Sequence, residues 1–309
     1  MTERKMTVVL GALLTATLLF ASQGLAQSKA ADGNVTFTVT AVGKKDSPAP
    51  AVSKDDVQLF QGKERKQVGD LKKADKLFLA ILIDDSIDSG AAGQWEYLKE
   101  FILAQPPSTV ISLGYISNNG TRVAQDFTNQ HELVAKALRI PLGTSALGTS
   151  PYLGAIDMLK RWPETGPQRS ILLITSGIDF FRGDSYGPFY PDLDSLIQRA
   201  ERQNTNIWSL YYPSSSHRGR SFFLANNAQT NLDKLSGETG AESYFLGTQA
   251  PVSFKPYLEE IAAHLSNQYL LTFAGNGGAK GKYQRMKLKT EVPDLEFFVP
   301  GAVYLPPAK

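Results

Sequence analysis

The sequence predicts a doubly wound α/β domain, a mainly parallel central sheet with helices on both faces. A small antiparallel β region from the N- and C-terminal flanks is expected to accompany it. Three observations carry this prediction. Leu77 to Ile83 is an unbroken apolar run closed by Asp84, the pattern of a strand covered on both faces. From there to His264, strand-like and helix-like stretches alternate, as they do where helices cross over between parallel strands. The flanks on either side are rich in strand patterns and contain no convincing helix.

Taken in order, residues 1–26 read as a secretory signal. Arg4 and Lys5 supply the positive end, Met6 to Ala21 the apolar run, and Gly24-Leu25-Ala26 the small residues of a cleavage site. The run is shorter than the ~20 residues that span a bilayer comfortably. Cleavage is therefore expected near Gln27, giving an exported product, periplasmic or extracellular, with no transmembrane span after signal removal. Residues 27–75 form an N-terminal β segment. There Val35, Phe37 and Val39 alternate with Thr36, Thr38 and Thr40, and Val57 to Phe60 leads into a turn at Gln61-Gly62-Lys63.

Residues 76–264 form the α/β domain. Its strands are expected at 77–83, 109–116, 121–127, 171–175, 206–211 and 242–246, and its helices at 93–105, 130–138, 151–161, 192–203, 228–236 and 254–265. Asn118-Asn119-Gly120 is a hairpin signal, which makes 121–127 an antiparallel edge strand. Residues 265–309 return to β structure at 268–273, 282–290 and 295–304 and are available to pair with 27–75. Gly275 to Gly281 reads as the hairpin turn between the first two of these strands.

Composition narrows the function. The 309 residues are 42% apolar and 20% charged, ordinary for a globular chain. Lys plus Arg number 32 against 30 Asp plus Glu, a formal charge of +2, which gives no electrostatic case for nucleic acid. The absence of cysteine removes disulfides, thiolate zinc sites, iron–sulfur ligation and a Cys nucleophile together. His131, His217 and His264 lie far apart and fit no metal-ligand spacing; His264 reads as a packing residue. A Gly-x-Ser-x-Gly elbow is absent. The 275–282 stretch fails as a phosphate loop, because Asn276 and Tyr283 stand where Gly and Ser or Thr are needed. Asp84-Asp85 lacks the second Asp that a phosphatase of the haloacid dehalogenase type requires, since Ser86 stands there. The chain is not expected to be an enzyme; a phosphatase-like hydrolase is kept as an alternative.

In open α/β sheets, ligands bind beyond the carboxyl ends of the strands. Three oxygen-rich loops fall there: Asp84 to Ser89, Gly148-Thr149-Ser150-Pro151, and Thr175 to Asp179. Converging carboxylates and hydroxyls suit a hard cation such as Mg²⁺. With these loops, residues 76–264 resemble a von Willebrand factor type A (vWA) domain. Asn34 to Thr40, Val52 to Phe60, Gly62, Tyr269 to Thr272 and Gly281 to Lys289 resemble the flanks of the exported vWA-related proteins common in Acidobacteria.

The resemblance implies a metal-ion-dependent adhesion site, built from an Asp-x-Ser-x-Ser loop, a Thr and a further Asp. Asp84, Ser86 and Thr149 match it, whereas Asp88 replaces its last Ser and Ser176 its further Asp. Two readings of this degenerate site stay open. In one, Asp84, Ser86, Asp88 and Thr149 bind Mg²⁺ or another divalent cation, with Asp88 compensating for the acid lost at Ser176. In the other, Asp84 caps its own turn, and Ser86, Asp88 and Thr149 cap the helices they precede.

Asp85 and Asp179 read as solvated loop acids. With Ser176 and with Phe181 and Tyr186 of the aromatic loop 177–190, they make up the expected partner-binding face; the loop reads equally well as a lid packed on the sheet. Residues 214–220 read as a solvated basic loop. The expected function is that of an exported, non-catalytic protein-interaction or adhesion module, engaging a protein partner in the envelope or outside the cell. The alternative is a metal-free structural module of an envelope assembly.

Overall fold

A computed structural model describes residues 33–44, 47–143, 149–162, 168–182, 190–215, 221–245 and 247–308. The expected signal segment 1–26, Gly148, Tyr186 and His217 lie outside them. The N-terminal flank supplies β1 (Gly33–Gly43), β2 (Gln58–Gln61), β3 (Glu64–Lys66) and β4 (Val68–Lys72). The α/β region follows as β5 (Leu77–Asp84), α1 (Trp95–Leu103), β6 (Thr109–Ser117), β7 (Gly120–Thr128), α2 (His131–Lys136), α3 (Pro151–Lys160), β8 (Gln168–Thr175), α4 (Pro191–Arg202), β9 (Thr205–Tyr211), α5 (Phe222–Glu238), β10 (Ser243–Tyr244) and α6 (Lys255–Ser266). The chain closes with β11 (Gln268–Gly275), β12 (Lys282–Gln284), β13 (Met286–Lys289), β14 (Leu295–Phe298) and β15 (Val303–Leu305).

The central sheet runs β10-β9-β8-β5-β6-β7. All neighbours are parallel except β6 and β7. Counted within this region alone, that is the doubly wound order 3-2-1-4-5-6, whose direction reverses beside the first strand. Asn118 (φ 50°) and Asn119 (φ 61°) supply the two left-handed residues of the hairpin between β6 and β7.

Every residue of β5 is buried, and its two faces serve different layers. Leu77, Leu79, Ile81 and Ile83 pack with Leu98, Ile102, Val134 and Ile261 from α1, α2 and α6. Phe78, Ala80 and Leu82 pack with Tyr152, Ile156, Leu196 and Leu232 from α3, α4 and α5. The period-2 alternation of a strand is what divides one apolar run between two cores.

Both flanks build one antiparallel body. β1 pairs with β11 from Gly33↔Gly275 to Thr40↔Gln268 in a sheet of order β14-β1-β11-β4. β13-β2-β3 and β12-β15 form smaller sheets. Val35, Phe37, Val39, Leu59, Leu271 and Phe273 share its core. The stretch Gly275 to Gly281 is not a hairpin turn: β12 pairs with β15 rather than β11, so these residues carry the chain from one sheet to another.

This body is joined to the central sheet at the amino ends of its strands. Gln268 receives hydrogen bonds from Gln168 Nε2 (2.6 Å) and Ser170 Oγ (3.3 Å), and gives one to Asn206 Oδ1 (3.3 Å). The ring of His264 stacks on Trp208 (5.3 Å between centroids) and meets Phe298 of β14 edge-on (5.4 Å). His264 therefore packs as expected from the sequence.

The same seam holds Glu201, whose Oε1 accepts from the Ala302 amide at 3.0 Å. Burial, with Glu238 nearby, pushes its carboxyl up to about 7, against the pull of the Ala302 bond. An acid with a raised folded-state pKa binds its proton more tightly when folded. Its stabilising contribution is therefore present at low pH and is lost as pH rises from about 4.5 through about 7. Discounted for partial solvent screening, the loss is about 1–2 kcal/mol. Glu201→Gln should therefore raise the urea midpoint at pH 8.5 and leave it unchanged at pH 4.5.

Candidate functional site

The switch in strand order places the ends of β5 and β8 side by side, and the loops there are laced together. Asp84 is fully buried. Its Oδ1 accepts from the Ser86 amide (2.9 Å) and its Oδ2 from the Thr175 hydroxyl (2.7 Å). Thr175 Oγ1 in turn accepts from the Gly177 amide (2.9 Å). Burial raises the Asp84 pKa, and the bonds from Thr175 and the Ser86 amide offset part of that rise.

The second and third loops are tied in the same way. The Thr149 carbonyl accepts from the amides of Phe180 (2.9 Å) and Phe181 (3.2 Å). Ser150 Oγ donates to Asp179 Oδ2 (3.0 Å), and the Ser150 amide donates to Asn119 Oδ1 (2.8 Å). Tyr152 on α3 donates to the Gly177 carbonyl (2.8 Å). The loop after β9 closes the ring: Ser214 Oγ donates to the Ser86 carbonyl (2.9 Å), and the Asp88 amide to the Pro213 carbonyl (2.9 Å).

Several expected roles need correction. Asp85 is no solvated loop acid. Both its oxygens accept from Arg139 at 2.7 Å, and the guanidinium lies 3.6 Å from the centre of the Tyr115 ring. Asp179 is also buried; its Oδ1 accepts from the amides of Phe181 (3.0 Å) and Arg182 (3.1 Å). Burial is the main cause of its raised pKa. Ser176 is fully buried rather than on a binding face, and its hydroxyl accepts from the Ile178 amide at 3.4 Å.

Of the expected caps, Asp84 does cap its turn, and Asp88 is the N-cap of a short 3₁₀ turn, accepting from the Gly90 amide at 2.8 Å. Thr149 does not cap α3; Ser150 does, through the Leu153 amide at 3.4 Å. Phe181 is exposed as expected.

As a cation site this donor set is thin. Ser86 Oγ is buried close to the Asp84 carboxylate. Both oxygens of Asp84, one of Asp88 in its cap, and the hydroxyl of Ser176 already take part in hydrogen bonds. Mg²⁺ wants near-ideal octahedral oxygen coordination, and the hydrogen bonds already made to Asp84, Asp88 and Ser176 work against it.

What the loops do present is apolar. Ile140, Leu142, Phe181, Phe222, Phe223 and Val252 are all exposed, Phe222 at 72% and Val252 at 95%. Each belongs to this end of the sheet. The Leu142 amide donates to Asp85 (3.3 Å), Phe181 bonds to Thr149, and Phe222 opens α5 just after β9. The Val252 carbonyl accepts from Gln94, at the start of α1 (3.3 Å). No helix among the described residues is long and apolar enough to cross a membrane.

No protein-family model and no curated protein matches the sequence. Solved structures do align with it. A von Willebrand factor type A protein from Catenulispora acidiphila is 10% identical, over 92% of this chain and 76% of that one, with a TM-score of 0.44. An aerotolerance-related membrane protein from Bacteroides fragilis is 9% identical, over 62% and 98%, with a TM-score of 0.45. The BatB protein of Bacteroides thetaiotaomicron is 11% identical, over 62% and 97%, with a TM-score of 0.44. The class is set by this chain's own strand order and by the position of its loops: a doubly wound α/β module with a vWA-like fold.

Proposed function

We propose that this chain is an exported, non-catalytic protein-interaction module that engages a protein partner through the apolar loop face, without a metal ion. The observation that carries this reading is that exposed Ile140, Leu142, Phe181, Phe222, Phe223 and Val252 all lie at one end of the sheet. Exposed apolar groups gathered in one place mark interaction surfaces, and aromatic residues are enriched in them. The hydrogen bonds beneath hold the loops in place before any partner arrives, which lowers the ordering cost of association. The antiparallel body sits at the opposite end of the strands, so it leaves this face open.

The test is site-specific photo-cross-linking in the exporting cell. A probe at Leu142 or Phe222 should give one discrete protein adduct, whereas a probe at exposed Tyr283 in the antiparallel body should give none. With the probe at Leu142, Phe181→Glu with Phe222→Glu should cut the adduct at least tenfold while leaving the melting temperature unchanged. Adduct yields indifferent to these substitutions would overturn the reading.

The buried Ser86 hydroxyl beside Asp84 favours the cation-dependent alternative. That alternative predicts loss of the adduct on chelation and heat on titration with Mg²⁺. The expected result is an adduct insensitive to EDTA and no Mg²⁺ binding in the millimolar range.

A further inference from the structure

Away from the loop face, three side chains gather that the reading above does not use. Glu242, just before β10, and Glu260 and His264, on α6, each bring one potential ligand atom to within 4.8 Å of the others. Glu260 and His264 are four residues apart in a helix, the spacing that puts two side chains on one face. Glu242 reaches them from the edge of the central sheet. Two carboxylates this close repel each other, and a cation between them would reverse the sign of that interaction.

The geometry is close to what a metal needs. Ligand atoms about 2.0–2.2 Å from a tetrahedral ion stand roughly 3.4 Å apart. Glu260 is exposed, so a change of rotamer can bring its carboxylate in. The surroundings hold the other two donors. Tyr244 OH lies 3.1 Å from His264 Nδ1 and 3.4 Å from Glu242 Oε2. The Tyr244 hydroxyl thus bridges the imidazole and the Glu242 carboxylate and keeps them side by side. The imidazole is also fixed between Trp208 and Phe298.

We propose that Glu242, Glu260 and His264 form a divalent transition-metal site, suited to Zn²⁺, that fastens α6 to the β10 edge beside the seam with the antiparallel body. One imidazole nitrogen with two carboxylate oxygens leaves a fourth position for water in a tetrahedral Zn²⁺ site. Mg²⁺ prefers carboxylates, carbonyls and water to imidazole.

The experiment is calorimetry of the chain with ZnCl₂ after chelator treatment. It should show one Zn²⁺ per chain with a micromolar Kd, undisturbed by millimolar Mg²⁺. Glu260→Gln, at an exposed position, should weaken binding at least tenfold, and Glu242→Gln likewise. Asp84→Asn should bind Zn²⁺ as the parent does, which separates this site from the loop face. Co²⁺ should quench tryptophan fluorescence in the parent, and Trp208→Phe should lose most of that quenching. Failure to bind Zn²⁺ at micromolar concentration, or equal binding by the parent and Glu260→Gln, would overturn the proposal. Neither result bears on the loop-face reading, whose adducts form without metal.

Discussion

Arg139→Ala should cost about 3–5 kcal/mol, the range for removing one partner of a buried ion pair. The reason is an asymmetry of burial: the side chain of Asp85 is 3% exposed and that of Arg139 is 39% exposed. Removing the arginine strands a carboxylate inside the protein, with only the Leu142 amide still bonded to it among the described residues (3.3 Å). It also removes the cation resting on the Tyr115 ring. Asp85→Ala is the milder change, about 1–2 kcal/mol, because the guanidinium it releases can turn to water. The double variant should lose less than the sum of the two. Urea unfolding of the four proteins decides the matter, and a larger loss for Asp85→Ala than for Arg139→Ala would contradict the argument. The pair also positions Ile140 and Leu142, so Arg139→Ala should reduce cross-linking at Leu142 as well.

Trp208→Ala should be comparably severe, about 3–5 kcal/mol, as for other large aromatic side chains removed from a core. Trp208 is fully buried in β9 and touches both the His264 ring and, at 6.4 Å between centroids, Phe298 of the antiparallel body. Its loss opens a cavity where the two bodies meet. Trp208→Phe is the informative companion. The indole Nε1 is buried without a hydrogen-bond partner, so phenylalanine removes an unsatisfied donor while keeping most of the contact. That substitution should cost no more than about 1.5 kcal/mol. A change in urea midpoint at constant slope would show that the loss is one of stability rather than of native compactness.

Much of the architecture was legible because it is written in local patterns. The apolar run of β5 and the Asn118-Asn119-Gly120 turn each specify their structure over a few residues, and both appear where the sequence placed them. The start of α5 was not. It begins at Phe222, with Ser221 as its cap, whereas the helical pattern suggests 228. Two exposed phenylalanines in its first turn blur the amphipathic signal that a surface helix normally gives.

The loop face shows the same division. That Asp84, Thr149 and Thr175 lie on neighbouring loops follows from strand order, and the sequence had marked those loops as oxygen-rich ends of the sheet. That Asp85 turns inward does not, because its partner Arg139 is 54 residues away. Ser150 rather than Thr149 caps α3, a choice made by backbone angles one residue apart. The trio Glu242, Glu260 and His264 left half a signal, the four-residue spacing on α6, and its third member comes from another element altogether.

The pairing of β1 with β11 has a consequence for how the chain is made. Thr36 and Thr272 share a hydrogen bond across 236 positions of sequence, so β1 leaves the ribosome long before its neighbour β11 has been made. Through that interval Val35, Phe37 and Val39 sit on an unpaired strand, open to capture by similar strands on other nascent chains. A nonsense mutation that stops synthesis after Ser266 would make the waiting permanent, and inclusion bodies are its expected fate.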